Sequence, residues 1–195
     1  IYSEPASLVK YYYCPFFSTL DENELEEYKA ITEKLIQNYD AKSGEFNEYG
    51  KRLLIVRKRI INQAKNKIIT LKEIFIDVRS KEGNLKFTFV YVPEGKDTDY
   101  STEDVVTYDS EERKLIKAYG EAIRQYGYST HELLADTRNR ERILTQFSEG
   151  KIDVLLAMKI LDEGVDIPAT KNAIFCASTG NPRQYIQRRG RVLRK

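Results

Sequence analysis

The chain has 195 residues, 41% of them hydrophobic and 32% charged, with a formal net charge of +2 at pH 7; this suffices for one domain of ordinary size plus a helical extension, and bulk charge points to no polyanionic partner. Cys14 and Cys176 lie far apart, and a single histidine (His131) with no CxxC pair excludes a disulfide framework and a structural zinc site, so no metal site and a reducing, cytoplasmic setting are expected. No apolar run approaches 18 residues and no signal-peptide pattern opens the chain, so no membrane partner is expected; the start at Ile1 and the end in Arg194-Lys195 suggest a piece of a longer protein.

The charge is segregated along the sequence. Asp21 to Glu48 holds nine acidic and three basic residues, and Lys51 to Lys72 holds eight basic and none acidic. Glu94 to Glu112 is acidic again, eight against Lys96 alone, and the last fifteen residues carry six basic groups and no acid. Tyr11-Tyr12-Tyr13, beside Pro15 and Phe16-Phe17, could stack bases but fits core or strand better. Leu25, Tyr28, Thr32, Leu35 and Tyr39 then repeat at helical spacing behind Asp21, an N-cap with Glu24 at capping-box distance. Leu20-Asp21-Glu22-Asn23-Glu24 imitates a Walker B strand end, but Asp21 serves better as the cap of an acidic first turn.

Leu54, Ile61, Ile68 and Phe75 recur every seven residues, interleaved with Ala64, Leu71 and Val78. The pattern predicts one helix of roughly 25–30 residues, packed as an antiparallel hairpin on the 21–39 helix rather than as a coiled-coil dimer. Its basic run suits equally a nucleic-acid channel and the wet side of a helix. From Lys86 the pattern alternates. Phe87 to Tyr91 reads as a strand, Ser110 to Tyr126 as a helix, His131 to Leu134 as a short strand, with His131 structural. Arg138 to Phe147 reads as a helix closed by Gly150, and 153–157 and 173–177 as apolar strands buried on both faces. Asn181-Pro182 opens a last helix, with Asn as cap and Pro at its first position. Strand–helix alternation at these loop lengths gives an α/β fold: a parallel sheet with helices on both faces, preceded by a helical hairpin extension. The expected division is 1–82 for the extension and 83–195 for the sheet domain.

Ligands of an open parallel sheet sit beyond the carboxyl ends of its strands. Three segments follow predicted strand ends: Val92 to Gly95, Met158 to Pro168, and Ser178 to Arg194. In the last, Gln187, Arg191 and Arg194 are spaced to share one side of a helix and the turn after Gly190, and planar arginine donors suit a triphosphate. A solvated basic face or a patch for backbone phosphates are the plainer readings of the same residues.

Read together, the segments favour the sharper one. Ile186-Gln187-Arg188-Arg189-Gly190-Arg191-Val192-Leu193-Arg194 resembles motif VI of superfamily 2 helicases, and Leu161-Asp162-Glu163-Gly164-Val165-Asp166-Ile167-Pro168 resembles their motif V. Phe87 to Gly95 is similar to the strand and loop of motif IV; the resemblance spans 86–195 and leans toward excision-repair helicases and restriction-enzyme motor subunits. It implies a RecA-like carboxy-terminal lobe of an ATP-dependent helicase or translocase. Arg191 and Arg194 match the arginine fingers, Gln187 the polar link to the nucleotide, and Asp166 and Gly164 the nucleotide-binding acid and glycine of motif V. Pro93, Gly95, Met158, Thr179 and Gly180 fall where the lobe touches the nucleic-acid track, DNA being the expected track. Position 158 is Met where many relatives carry Thr, so one hydroxyl contact is lost there.

No GxxxxGK[ST] occurs, since each Gly-Lys pair (50–51, 95–96, 150–151) is followed by Arg, Asp or Ile. ATP and Mg2+ would then be held mainly by a preceding RecA-like lobe of the same parent chain, and this chain alone would be inactive. DNA repair and restriction are the expected settings. The alternatives are a non-catalytic nucleic-acid-binding module on a helicase-like fold, or a nucleotide-binding lobe serving another kind of partner.

Overall fold

A computed structural model describes residues 11–93, 105–134, 136–158, 167, 169–177, 186, 189 and 190, and within 105–112 the backbone alone. Helix α1 spans Glu22–Gln37 and opens on the expected capping box. The Asp21 carboxylate accepts from the Glu24 amide at 2.8 Å, and Glu24 accepts in return from the Asp21 amide at 2.9 Å. These bonds satisfy two donors that a helix start leaves open, and the Glu24 amide, with Lys65 beside it, holds the Asp21 carboxyl below its usual range. Asp21 is therefore a helix cap, not a strand-end carboxylate.

A two-stranded ribbon that periodicity had not signalled follows: β1 (Tyr39–Asp40) pairs antiparallel with β2 (Glu45–Phe46). Tyr39 and Phe46 pack with ring centroids 5.1 Å apart. The ribbon reverses the chain into α2, Glu48–Gln63. Ile31 and Leu35 of α1 bury against Leu53 of α2, Arg57 stacks over Tyr28 at 5.5 Å, and Lys65 pairs with Asp21 at 2.9 Å. Contacts that run from late to early along α1 as α2 advances define the antiparallel hairpin.

The single long helix is not found. Ala64 turns out of helical geometry (ψ 125), and α3 starts afresh at Asn66 and runs to Glu82. Of the heptad positions, Phe75 is fully buried, Leu54 and Ile68 are partly buried, and Ile61 is exposed. The repeat is continuous in sequence, but its two halves face different cores. α2 packs on α1, whereas Leu71 and Phe75 of α3 join the core of the sheet. The expected boundary at 82/83 thus passes between α3 and a strand that share one core.

Strands β3 (Thr88–Tyr91), β4 (Thr130–Leu133), β5 (Val154–Ala157) and β6 (Asn172–Phe175) form one parallel sheet in the order β4-β5-β3-β6. α4 (Val105–Arg124) links β3 to β4, and α5 (Arg140–Ser148) links β4 to β5. Because strand side chains alternate, β3 and β5 feed two cores. Val90, Val92, Val154 and Leu156 meet Leu71 and Phe75 of α3 and Ile116, Tyr119 and Ile123 of α4 on one face. Phe89, Tyr91, Leu155 and Ala157 meet Ile143 and Phe147 of α5 on the other. This is the expected RecA-like layering, with helices on both faces. β3 and β5 are buried throughout, as their apolar runs require. β6 is not: only Ile174 is buried, because β6 has a single strand neighbour among the described residues. Gly150, which closes α5, needs to be glycine twice over, with φ at 71° and a Cβ that would sit 3.3 Å from the Phe87 ring.

Candidate functional site

The sheet is in near-perfect register at its carboxyl edge. Leu133 lies beside Ala157, Ala157 beside Tyr91, and Tyr91 beside Phe175. The ladder continues one step past this row: the Val92 amide donates to Ala157 O at 2.9 Å, Cys176 to Tyr91 O at 2.9 Å, and Met158 to Leu133 O at 3.3 Å. Pro93, Met158 and Cys176-Ala177 therefore leave three adjacent strands at one level. The three segments read from sequence as chemically active continue from these residues, so they start side by side although up to 84 positions separate them (177 less 93).

Pro93 and Met158 are the expected site residues within the described part, and both are buried. The Met158 side chain belongs to the core cluster under α3 and α4, and its amide is already engaged by Leu133. Met in place of Thr thus reads as a packing residue. Gly95, Gly164, Asp166, Thr179, Gly180, Gln187, Arg191 and Arg194 lie outside the described residues, as do Asn181 and Pro182. Ile186, Arg189 and Gly190 are helical, as a final helix requires.

Arg189 makes a contact that the sequence did not signal. Its Nη1 donates to the Tyr11 hydroxyl at 2.9 Å, and its guanidinium lies 5.4 Å from the centre of the same ring. The Tyr11 to Phe17 segment is neither strand nor core. Tyr12 is 99% exposed and Phe17 90%, so the bias of aromatics toward strands does not hold here. His131 is exposed on β4.

Among the described residues, few ionisable groups lie near the edge. The Cys176 thiol is pushed up to about 12, and burial also raises the Tyr119 hydroxyl, so both are neutral at pH 7. Beyond β4, Thr137, Asn139, Arg140, Glu141 and Arg142 line an open cleft at the start of α5. Asn139 sits there in the left-handed region (φ 57) and gives α5 no side-chain cap. Three arginines within 138–142 were the available signal for this basic cleft, and periodicity absorbed them into a helix. Among the described residues, no cluster of three His, Cys, Asp or Glu could hold a metal ion, and no helix is long and apolar enough to cross a membrane.

Comparison with known proteins gives the edge its context. The family described as "Helicase conserved C-terminal domain" matches residues 66–195, beginning at the first residue of α3. Over 60 residues the chain is 45% identical to the DNA 3'-5' translocase XPB2 of Sulfurisphaera tokodaii, covering 31% of this chain and 14% of that protein. Over 92 residues it is 27% identical to Dicer-like protein 2 of Phaeosphaeria nodorum, covering 46% of this chain and 7% of that protein. The chain thus spans a small part of these relatives. Among solved structures, the SWI2/SNF2 ATPase core domain of Sulfolobus solfataricus superposes with a TM-score of 0.55 at 18% identity, over 91% of this chain and 36% of that one.

Proposed function

The chain belongs to the helicase conserved C-terminal domain family, as the carboxy-terminal lobe of a superfamily 2 helicase, and from that premise we propose that it is the second motor lobe of an ATP-driven DNA translocase. It would supply Arg191 and Arg194 as arginine fingers, Gln187 as a polar link, and Gly164 and Asp166 to the nucleotide. Pro93, Gly95, Met158, Thr179 and Gly180 would border the track. The lobe proper would begin at Asn66, where α3 joins the sheet core, and residues before it would lead from a preceding RecA-like lobe that holds ATP and Mg2+.

One observation carries the reading: β3, β5 and β6 end at a single edge, in register, and the three proposed segments follow them in the chain. A site built from three loops at one level can grip a phosphate chain on one side and close on a nucleotide on the other. The track is taken as DNA because the XPB2 relative is a DNA translocase. Catalysis here rests on stabilising charge that develops on the transferring phosphoryl group, which is what arginine fingers do. Repair or restriction is the proposed setting.

The test is steady-state ATP turnover of the parent protein with saturating DNA, beside nucleotide binding. Arg191→Ala and Arg194→Ala should each lower turnover by about 10³, the scale of a lost arginine finger, with little change in nucleotide affinity. Arg→Lys at either position should fail too, because an ammonium lacks the planar fork. Arg189→Ala, engaged with Tyr11 instead, should turn over near the wild-type rate. Crippled Arg189→Ala beside normal Arg191→Ala and Arg194→Ala would overturn the assignment.

A further inference from the structure

α3 starts at the carboxyl edge and ends toward the amino edge, since its last residues lead through Leu85 into the start of β3. Its first turn therefore stands beside the end of β6, where Ile68 and Leu71 pack in the same cluster as Cys176. Lys67 lies in that turn, partly buried and near Cys176. Its Nζ donates to the Asn62 carbonyl at 3.1 Å. Among the described residues, that carbonyl is its one acceptor, and no carboxylate pairs with it. Among the described residues of this cluster, the Cys176 thiol and the Tyr119 hydroxyl are neutral and offer no counter-charge.

An ammonium drawn out of water with one carbonyl for company is costly, and the desolvation lowers its affinity for its own proton. The packing around it would accept a straight apolar chain at less cost. A counter-anion arriving from solvent resolves the expense, and Lys67 is open enough to be reached. It also sits beside Cys176, where the chain leaves β6. We propose that Lys67 is a phosphate-binding residue of this edge, its ammonium held by Asn62 to pair with one backbone phosphate of the bound nucleic acid; the proposal rests on the track reading above.

The test uses the full 195-residue chain and a labelled 20-base-pair DNA duplex, titrated at several salt concentrations. Two variants remove the charge: Lys67→Met, which keeps the straight stem, and Lys67→Gln, which also keeps a donor for Asn62. Both should melt at or above the wild-type temperature, since a costly buried charge is gone. Both should bind the duplex about tenfold more weakly at low salt, and the slope of log affinity against log salt should fall by about one, the share of a single phosphate contact. Lys67→Arg should retain most of the affinity. Wild-type chain that fails to bind duplex at low salt overturns the track reading and this proposal together. Wild-type binding matched by both charge-free variants overturns the Lys67 assignment alone. Lowered melting temperatures with intact DNA binding would mean that Lys67 neutralises a carboxylate of its own chain, which also overturns it. Intact DNA binding with weakened binding of a fluorescent ATP analogue would assign the phosphate to the nucleotide instead, against the proposal.

Discussion

At the scale of single residues, the two cysteines show how far one residue type can diverge. Cys14 is exposed, while the Cys176 thiol is pushed up to about 12 by the packing at the end of β6. Thiolate is the reactive form, so at pH 8 a maleimide should label Cys14 within minutes and leave Cys176 unmodified until the fold is opened. Mass spectrometry of the digested chain reads this directly, and equal labelling of both in the native state would contradict the burial. The Arg189–Tyr11 contact belongs to the same scale. A cation over a partly exposed ring is worth about 0.5–1 kcal/mol, which sets the expected loss of stability in Arg189→Ala. No sequence pattern could have signalled it, because the partners are 178 positions apart and neither lies in a periodic stretch. Capping residues were legible for the opposite reason. Asp21 and Glu24 act within one turn, so their spacing alone specifies the geometry.

At the scale of elements, the parallel strands were readable because burial on both faces leaves a continuous apolar run, as in β3 and β5. The break between α2 and α3 was not, since helical spacing records that residues are buried but not against what. Ile61 and Phe75 occupy equivalent positions of one heptad, yet Ile61 is 41% exposed and Phe75 only 1%. Phe75→Ala should cost about 3–5 kcal/mol, and Ile61→Ala well under 1 kcal/mol. Chemical denaturation of the two variants checks this, and equal losses would restore the uninterrupted helix. The ribbon of β1 and β2 escaped notice because two-residue strands are too short for a period to register. Of the candidate site, the position of three segments after strand ends was legible. The order of those strands in the sheet and the inward turn of Met158 were not, because chain order does not fix strand order and a residue after a strand can face either way.

At the scale of the whole molecule, the chain carries the proposed arginine fingers, Arg191 and Arg194, but its sequence contains no GxxxxGK[ST] loop to cradle a nucleotide. Pure chain should therefore release no phosphate from ATP, with or without DNA, and turnover that persisted through further purification would contradict the two-lobe reading. Its binding to DNA should be weak, indifferent to sequence and steeply weakened by salt, because it depends on a few phosphate contacts. The turn at Ala64 carries a consequence for motion. One helix pair rests on three buried apolar residues, Ile31, Leu35 and Leu53, with Phe46, Leu54 and Ile60 packed against them, whereas the sheet and its helices share more than twenty buried apolar residues across two clusters. A small apolar nucleus cannot hold its amides as long as a large one, and a non-helical joint does little to couple the two. In native-state hydrogen exchange, amides of α1 and α2 should trade with deuterium well before those of β3 and β5, as a separate cooperative unit. A partner that docks the hairpin could then stiffen or release it without disturbing the geometry of the sheet edge.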